Sequence, residues 1–340
     1  MIRVLVVDDS ETFRAYVVQI LESDPEIAVV GCATTGHQAL EMVGQLRPTI
    51  VTMDALMPDL DGVEATRAIL RSYRVPIIIV SAVASGHHGV RALGEGAVEA
   101  LAKPNGLADR KRFETELLQS VKLLSEVPIL LRRHTAQSAF SSPLPVPSGR
   151  SDLQVLAIGA STGGPGIISS LIQSLRSDCC SAILIAQHIS EGFDRFLVEW
   201  WSQCTRHPVR LAASGMPLAP GTVLVAPGHK HLTVKRNKTV ECISPAPSDP
   251  FVPSIDRLFE SVALAVSAAA AGLLLSGMGD DGAAGLLAMR SAGAITAIQD
   301  PSSAVVASMP EHALAIGAAT MVLRPESIES WVGGITTRGR

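Results

Sequence analysis

The chain has 340 residues, 47% hydrophobic and 18% charged, with a formal net charge of -4. Such a balance belongs to a globular protein long enough for two cored domains; it excludes a disordered chain and gives no electrostatic basis for binding nucleic acid. The five cysteines, Cys32, Cys179, Cys180, Cys204 and Cys242, form no CxxC pair, which fits a reducing compartment with neither disulfides nor a zinc site.

Met1 runs directly into an apolar segment with no basic leader before it, so no secretory signal is expected. From residue 1 to about 126, strand patterns at 2–7, 27–31, 49–53, 77–80 and 98–102 alternate with helical patterns near 12–21, 37–46, 62–71, 90–93 and 113–124. Five successive βα units predict an open, flavodoxin-like parallel sheet with its site at the carboxyl ends of the strands. Polar residues fall at those ends: Asp8 and Asp9 after the first strand, Asp54 after the third, Ser81 after the fourth and Lys103 after the fifth. Three carboxylates on one edge repel one another unless a cation sits among them, and hard oxygen ligands suit Mg²⁺. An aspartate beside such an ion can attack a phosphoryl group, while a hydroxyl and an ammonium grip the phosphoryl oxygens. A single aspartate there would read as an ordinary turn residue; five polar groups at four of the five strand ends read as a site.

The segments Val7-Asp8-Asp9-Ser10, Met53-Asp54-Ala55-Leu56-Met57-Pro58-Asp59-Leu60-Asp61-Gly62, Val80-Ser81-Ala82 and Ala102-Lys103-Pro104 resemble a response-regulator receiver. The resemblance implies that a histidine kinase phosphorylates Asp54, that Asp8 and Asp9 join Asp54 in binding Mg²⁺, and that Ser81 and Lys103 sense the phosphate. One position departs from the pattern: the aromatic switch residue three before the lysine is Ala100, so no rotating ring relays the signal.

Between 127 and 150 the apolar period stops, and alternate prolines (Pro143, Pro145, Pro147) favour an extended spacer. The βα alternation resumes at 151. An apolar run at 155–158 breaks into Gly159-Ala160-Ser161-Thr162-Gly163-Gly164-Pro165-Gly166, followed by helical sequence over 167–175. Gly-x-Ser-x-Gly fits a nucleophile elbow, with the helix N–H groups aimed where an oxyanion would form. The same residues fit a glycine-rich turn that cradles a phosphate, and the stretch alone does not choose. A second strand, 182–186, ends in Gln187-His188, and a helix pattern covers 192–204. The turn-rich region 209–242 suggests strands around 222–226 and 231–234 and a hairpin. A helix capped by Ser254 heads toward Ala270, and strands at 273–275 and 294–298 end in Ser276-Gly277-Met278-Gly279-Asp280-Asp281 and Gln299-Asp300. The most apolar run, 262–275, is broken by Ser267 and Gly272 and too short to span a bilayer, so the expectation is a cytoplasmic protein without membrane insertion.

If these strands are parallel neighbours, a serine, an imidazole and a carboxylate share one edge, the set that acyl transfer requires. Asp280, Asp281 and Asp300 compete for the carboxylate role. Asp256 reads as a helix-start residue, and His207, His229, His231 and His312 read as surface histidines. A dinucleotide site is the binding-module alternative, but Ser169 stands where a third glycine is wanted and His188 where an acid would hold a ribose. A P-loop fails because Pro165 stands where lysine belongs, and a DNA-binding regulator lacks a basic recognition helix.

Ile158-Gly159-Ala160-Ser161-Thr162-Gly163-Gly164, Ala186-Gln187-His188, Leu224-Val225-Ala226-Pro227-Gly228, Ser276-Gly277-Met278-Gly279-Asp280-Asp281-Gly282-Ala283 and Gln299-Asp300-Pro301-Ser302-Ser303-Ala304-Val305-Val306 are similar to the chemotaxis protein-glutamate methylesterases of the CheB type. That resemblance implies a receiver at 1–126, a linker at 127–150 and a catalytic domain at 151–340, the last a doubly wound, Rossmann-like parallel sheet with an added β-hairpin. It makes Ser161 the nucleophile, His188 the base and Asp281 the orienting acid, with Met278 and Thr162 at the oxyanion hole. It further implies demethylation, and deamidation of glutamines, on the cytoplasmic helices of chemoreceptors, with no cofactor for the esterase reaction and with the unphosphorylated receiver limiting substrate access.

Overall fold

The computed structural model describes residues 1–82, 86–125 and 153–337. The stretch read as a linker, 127–150, lies outside the described residues. Those residues form two compact units, each built on its own sheet.

The first unit runs β1 (Ile2–Val7), α1 (Glu11–Glu22), β2 (Ile27–Ala33), α2 (Gly36–Leu46), β3 (Ile50–Met53), α3 (Gly62–Ser72), β4 (Ile77–Ser81), α4 (Gly86–Gly94), β5 (Glu99–Ala102) and α5 (Leu107–Leu124). The strands pair in parallel in the order β2-β1-β3-β4-β5. β3 and β4 are buried along their whole length, which is why both are mostly apolar, with no polar–apolar alternation; Thr52 and Ser81 are their buried polar members. Ser10, Thr35 and Asp61 cap α1, α2 and α3 by accepting from Phe13, Gln38 and Glu64 N–H, fixing where each helix leaves the strand-end loop. Two helices begin earlier than their periodicity predicts. The first turn of α4 is Gly-His-His-Gly, and residues 107–112 of α5 are exposed, so neither start carries an apolar stripe.

The elements that follow residue 153 are β6 (Val155–Ala160), α6 (Gly164–Ser174), β7 (Ala182–Gln187), α7 (Asp194–Cys204), β8 (Val209–Leu211), β9 (Val223–Val225), β10 (His231–Val234), β11 (Val240–Ile243), α8 (Ile255–Val266), β12 (Ala270–Leu274), α9 (Ala283–Ser291), β13 (Ile295–Gln299), α10 (Ser308–Ala315), β14 (Met321–Leu323) and α11 (Pro325–Ile335); all belong to the second unit except the first three residues of α7, which are assigned to the first. Seven strands pair in parallel in the order β14-β13-β12-β6-β7-β9-β8. The hairpin consists of β10 and β11, with His231 opposite Ile243 and Val234 opposite Val240. The segment expected at 222–226 is β9, which joins the parallel sheet and takes no part in the hairpin. Strand order reverses at β6: β7 lies on one side and β12 on the other, so the loops after β6 and β12 flank a topological switch point. Among the described residues no helix is long and apolar enough to cross a membrane.

Candidate active site

β6 ends at Ala160, and the chain turns through Ser161, Thr162 and Gly163 into α6. Gly163 closes the turn at φ 81°, a left-handed conformation that favours glycine. A Cβ there would also lie 2.6 Å from Val305 Cβ. Ser161 N–H donates to the Ser276 carbonyl (3.0 Å), tying the serine turn to the loop after β12. Gly277 in that loop packs so closely that a Cβ on it would stand 2.6 Å from Ser161 Cβ. The buried Gln187 side chain, at the end of β7, donates through Nε2 to both the Ser161 and His188 carbonyls, each at 2.9 Å. The elbow and the end of β7 are thereby fastened together.

His188 Nε2 lies 2.9 Å from Asp281 Oδ2. The Asp281 carboxylate is 4% exposed and also accepts from Ile255 N–H (2.7 Å), Asp256 N–H (2.9 Å) and Ser254 Oγ (3.1 Å). It thus sits at the amino end of α8, where free N–H groups favour an anion. Burial pushes its pKa up, but the His188 contact and the α8 amides outweigh burial and hold the carboxyl below its ordinary value. Of the three competing aspartates only Asp281 meets His188. Asp280 is exposed, and Asp300 accepts from Ser302 N–H (2.9 Å) and Oγ (2.8 Å) to cap the short turn after β13.

Around this pair the structure changes several expectations. Asp256 is in the first turn of α8, as a helix-start residue should be, yet its carboxylate accepts from Gly282 N–H (2.9 Å) and Gly285 N–H (2.6 Å) at the start of α9. Asp281 and Asp256 therefore each close the helix that follows the other. His231 is no surface residue: it is fully buried in β10 and bonded to Asp249 at 2.8 Å. His207 is half-buried, with Nδ1 2.9 Å from the Gly221 carbonyl and Nε2 3.0 Å from that of Arg176. His229 and His312 are exposed, as expected. Phe251 stacks on the His188 ring, centroids 5.3 Å apart and planes 4° from parallel. Thr162 is buried; its carbonyl accepts from Ser276 Oγ at 2.7 Å, and among the described residues its N–H and that of Met278 donate to no group.

In the first unit the ligand atoms of Asp8, Asp9 and Asp54 lie within 4.8 Å of one another. Lys103 Nζ bridges Asp8 Oδ2 and Asp54 Oδ2, at 2.7 Å each, and sits 4.5 Å from the centre of the Phe13 ring. Burial, with the Asp8 charge adding to it, lifts the Asp54 carboxyl above its ordinary value despite Lys103. Burial pulls the Lys103 ammonium down, but hydrogen bonds to Asp54 and Asp8 outweigh it and raise its pKa. Ser81 is buried at the end of β4, and Ala100 is buried in β5. Gly62 packs against the Asp54 backbone so tightly that a Cβ there would clash with the Asp54 carbonyl oxygen.

The CheB methylesterase family model matches residues 156–332, and the response regulator receiver domain model matches 4–112. A protein-glutamate methylesterase/protein-glutamine glutaminase of Geobacter metallireducens is 40% identical over 96% of this chain and 97% of its own length. One of Syntrophus aciditrophicus is 39% identical over 96% of each. The chain belongs to the CheB methylesterase family. The crystal structure of the Thermotoga maritima CheB methylesterase catalytic domain covers 53% of this chain and 96% of its own, with 27% identity and a TM-score of 0.50.

The methylesterase match contains Ser161, His188 and Asp281, and the receiver match contains Asp8, Asp9, Asp54, Ser81 and Lys103. Sequence reasoning missed the residues that hold the methylesterase-family set in place: Gln187, Phe251, the Ser254 hydroxyl and the Asp256 carboxylate. Ser254 had a signal as a helix cap. Gln187 reaches Ser161 and Asp256 reaches Gly282 across 26 residues each, and Phe251 meets His188 from a distant loop, so no local pattern encodes these partners.

Proposed function

We propose that the chain is a phosphorylation-regulated serine hydrolase that demethylates glutamate methyl esters, and deamidates glutamines, on the cytoplasmic helices of chemoreceptors. The observation that carries this reading is the 2.9 Å contact between His188 Nε2 and the buried Asp281 carboxylate, from the segments that follow β7 and β12, the two strands flanking β6 and its Ser161 elbow.

With Nε2 committed to Asp281, Nδ1 is the ring nitrogen for the serine. It takes the Ser161 hydroxyl proton as Oγ attacks the ester carbonyl, and Asp281 fixes the tautomer and stabilises the imidazolium. The N–H groups of Thr162 and Met278 stabilise the tetrahedral oxyanion. Collapse breaks the C–O bond to the methoxy group, His188 returns its proton to the departing methanol, and water then hydrolyses the glutamyl–Ser161 ester by the same steps. A glutamine substrate follows the same path with ammonia leaving.

In the receiver, Asp54 is the phosphoacceptor for a histidine kinase, and Lys103 and Ser81 contact the phosphoryl oxygens. The donor set of Asp8, Asp9 and Asp54 fits Mg²⁺, whose charge would offset their mutual repulsion and that of the incoming phosphoryl group. We assign the receiver to 1–126, the spacer to 127–150 and the hydrolase to 151–340, and we place the protein in the cytoplasm. The decisive test is methanol release from methylated receptor: wild-type protein releases it and Ser161→Ala does not. Incubation with a small phosphodonor and Mg²⁺ should also give a base-labile acyl phosphate, absent in Asp54→Asn; a label that survives places the acceptor elsewhere.

A further inference from the structure

A second histidine–aspartate pair lies behind the first. His231 is fully buried, and both its ring nitrogens are engaged. Nδ1 accepts from Ser254 N–H at 3.0 Å, so the proton is on Nε2, which donates to Asp249 Oδ2 at 2.8 Å. Asp249 Oδ2 also accepts from Ala246 N–H (2.8 Å), and Oδ1 pairs with Arg257 on α8 (2.8 Å). These contacts leave the Asp249 carboxyl held down to about 2, chiefly by the Ala246 amide and His231.

The two residues bracketed by this one imidazole, Asp249 and Ser254, are the ends of a six-residue loop, Asp249-Pro250-Phe251-Val252-Pro253-Ser254. The loop reaches both partners of the catalytic pair. Phe251 lies flat against His188, and Ser254 Oγ donates to Asp281 Oδ1. Ile255 and Asp256, directly after the bracket, give Asp281 its two backbone donors. We infer that His231, anchored by Asp249, is a positioning residue for the esterase reaction: it brackets the loop 249–254, so that Phe251 holds the plane of the His188 ring and Ser254 holds the Asp281 carboxylate. It touches no reacting atom, and none of the proton transfers passes through it. A surface turn would not need a buried imidazole at its base. The polar side chain is retained there because an apolar one could not satisfy the Ser254 amide and the Asp249 carboxylate together.

This inference rests on the hydrolase reading, and its test separates the two. Full-length wild-type protein, His231→Leu, His231→Gln and Asp249→Ala are compared on methylated receptor under one fixed phosphodonor condition, with Ser161→Ala as the blank and thermal melting to confirm folding. Misplacing the base by about 1 Å should lower kcat by about 10²-fold in His231→Leu, with KM unchanged. Asp249→Ala, which cuts only the Nε2 arm, should lose less. His231→Gln, which offers a carbonyl and an amide N–H at similar spacing, should recover most of kcat. The resonances of the His188 ring protons supply a readout independent of turnover: His231→Leu should move them in the direction that Phe251→Leu does, because the first displaces the stacked ring and the second removes it. Folded His231→Leu with wild-type kcat and unmoved His188 resonances would overturn the inference, as would equal loss in the Leu and Gln variants. Should His231→Leu not fold, Asp249→Ala and His231→Gln decide by the same two readouts. Absence of methanol release from wild-type protein would overturn the hydrolase reading, while the resonances would still report whether His231 holds Phe251 on His188.

Discussion

Both sheets deliver their polar residues to the carboxyl ends of parallel strands, and the two edges are then held in opposite ways. At the receiver edge the groups are charges: Asp8 and Asp54 share the Lys103 ammonium at 2.7 Å each. At the esterase edge one carboxylate, Asp281, takes its support from two backbone amides, a hydroxyl and an imidazole. The pKa directions follow, with Asp54 pushed up by burial and Asp281 held down by its donors in spite of burial. The receiver edge sets one ammonium against three carboxylates and so keeps a net negative charge that a bound cation would change. The esterase edge holds its carboxylate with dipoles that the fold fixes in place.

The sharpest break between the two is chemical. Ser161→Ala should lower turnover by at least about 10⁴-fold, His188→Ala by as much, and the double variant by little more, because such residues act as a unit. Methanol release measures all three. The receiver should be indifferent, and Asp54 acyl phosphate should form in each; multiplicative losses in the double variant would deny the unit. Next comes crowding at the esterase edge. Gly277→Ala would place a Cβ 2.6 Å from Ser161 Cβ and against Met309 Sδ, and a displaced nucleophile should cost about 10²-fold in kcat.

The carboxylates themselves sharpen the comparison through stability. Asp281 has a depressed native pKa, so its contribution is complete above the unfolded value of about 4 and is lost as pH falls through the native value. Asp281→Asn should therefore destabilise the second unit by about 2 kcal/mol at pH 7 and by progressively less below about pH 4 in urea unfolding. Regulation is expected to be smaller. The 151–340 fragment should outpace the unphosphorylated full-length protein by no more than about tenfold, phosphorylation should recover part of that gap, and Ala100→Phe should enlarge the recovery. Equal rates of receptor demethylation by fragment and full-length protein would leave substrate targeting as the receiver's role. The smallest effect belongs to Asp54, whose raised native pKa makes its charge costly above that value. Asp54→Asn should stabilise the receiver by under about 1 kcal/mol at pH 7, a gain that vanishes once pH falls below the unfolded value.

How much of this was legible depended on where the partner of each residue lies along the chain. Strand ends were readable because buried parallel strands are short apolar runs, and the residue after each run is thereby placed at the sheet edge. That fixed Asp8, Asp54, Lys103, Ser161 and His188 from residue order alone. The choice among Asp280, Asp281 and Asp300 could not be made from residue order, because it depends on which carboxylate reaches the amino end of α8; family resemblance made it. β8, three residues long with an exposed Arg210, gave no strand signal. His231 was misread for an instructive reason. A histidine in a turn-rich region is ordinarily exposed, but here β10 carries it beneath a loop whose anchoring aspartate lies 18 residues onward.

The exchange of caps between α8 and α9 has a consequence for how the molecule opens. Asp281 closes the first turn of α8 and Asp256 closes that of α9, so neither helix can fray at its start without releasing an amide of the other. The amides of Ile255, Asp256, Gly282 and Gly285 should accordingly exchange with deuterium as one set, at one opening free energy. The carboxylate bonded to His188 is inside that set. Any fluctuation that unlatches the two helices should therefore also release the His188 ring from its carboxylate partner.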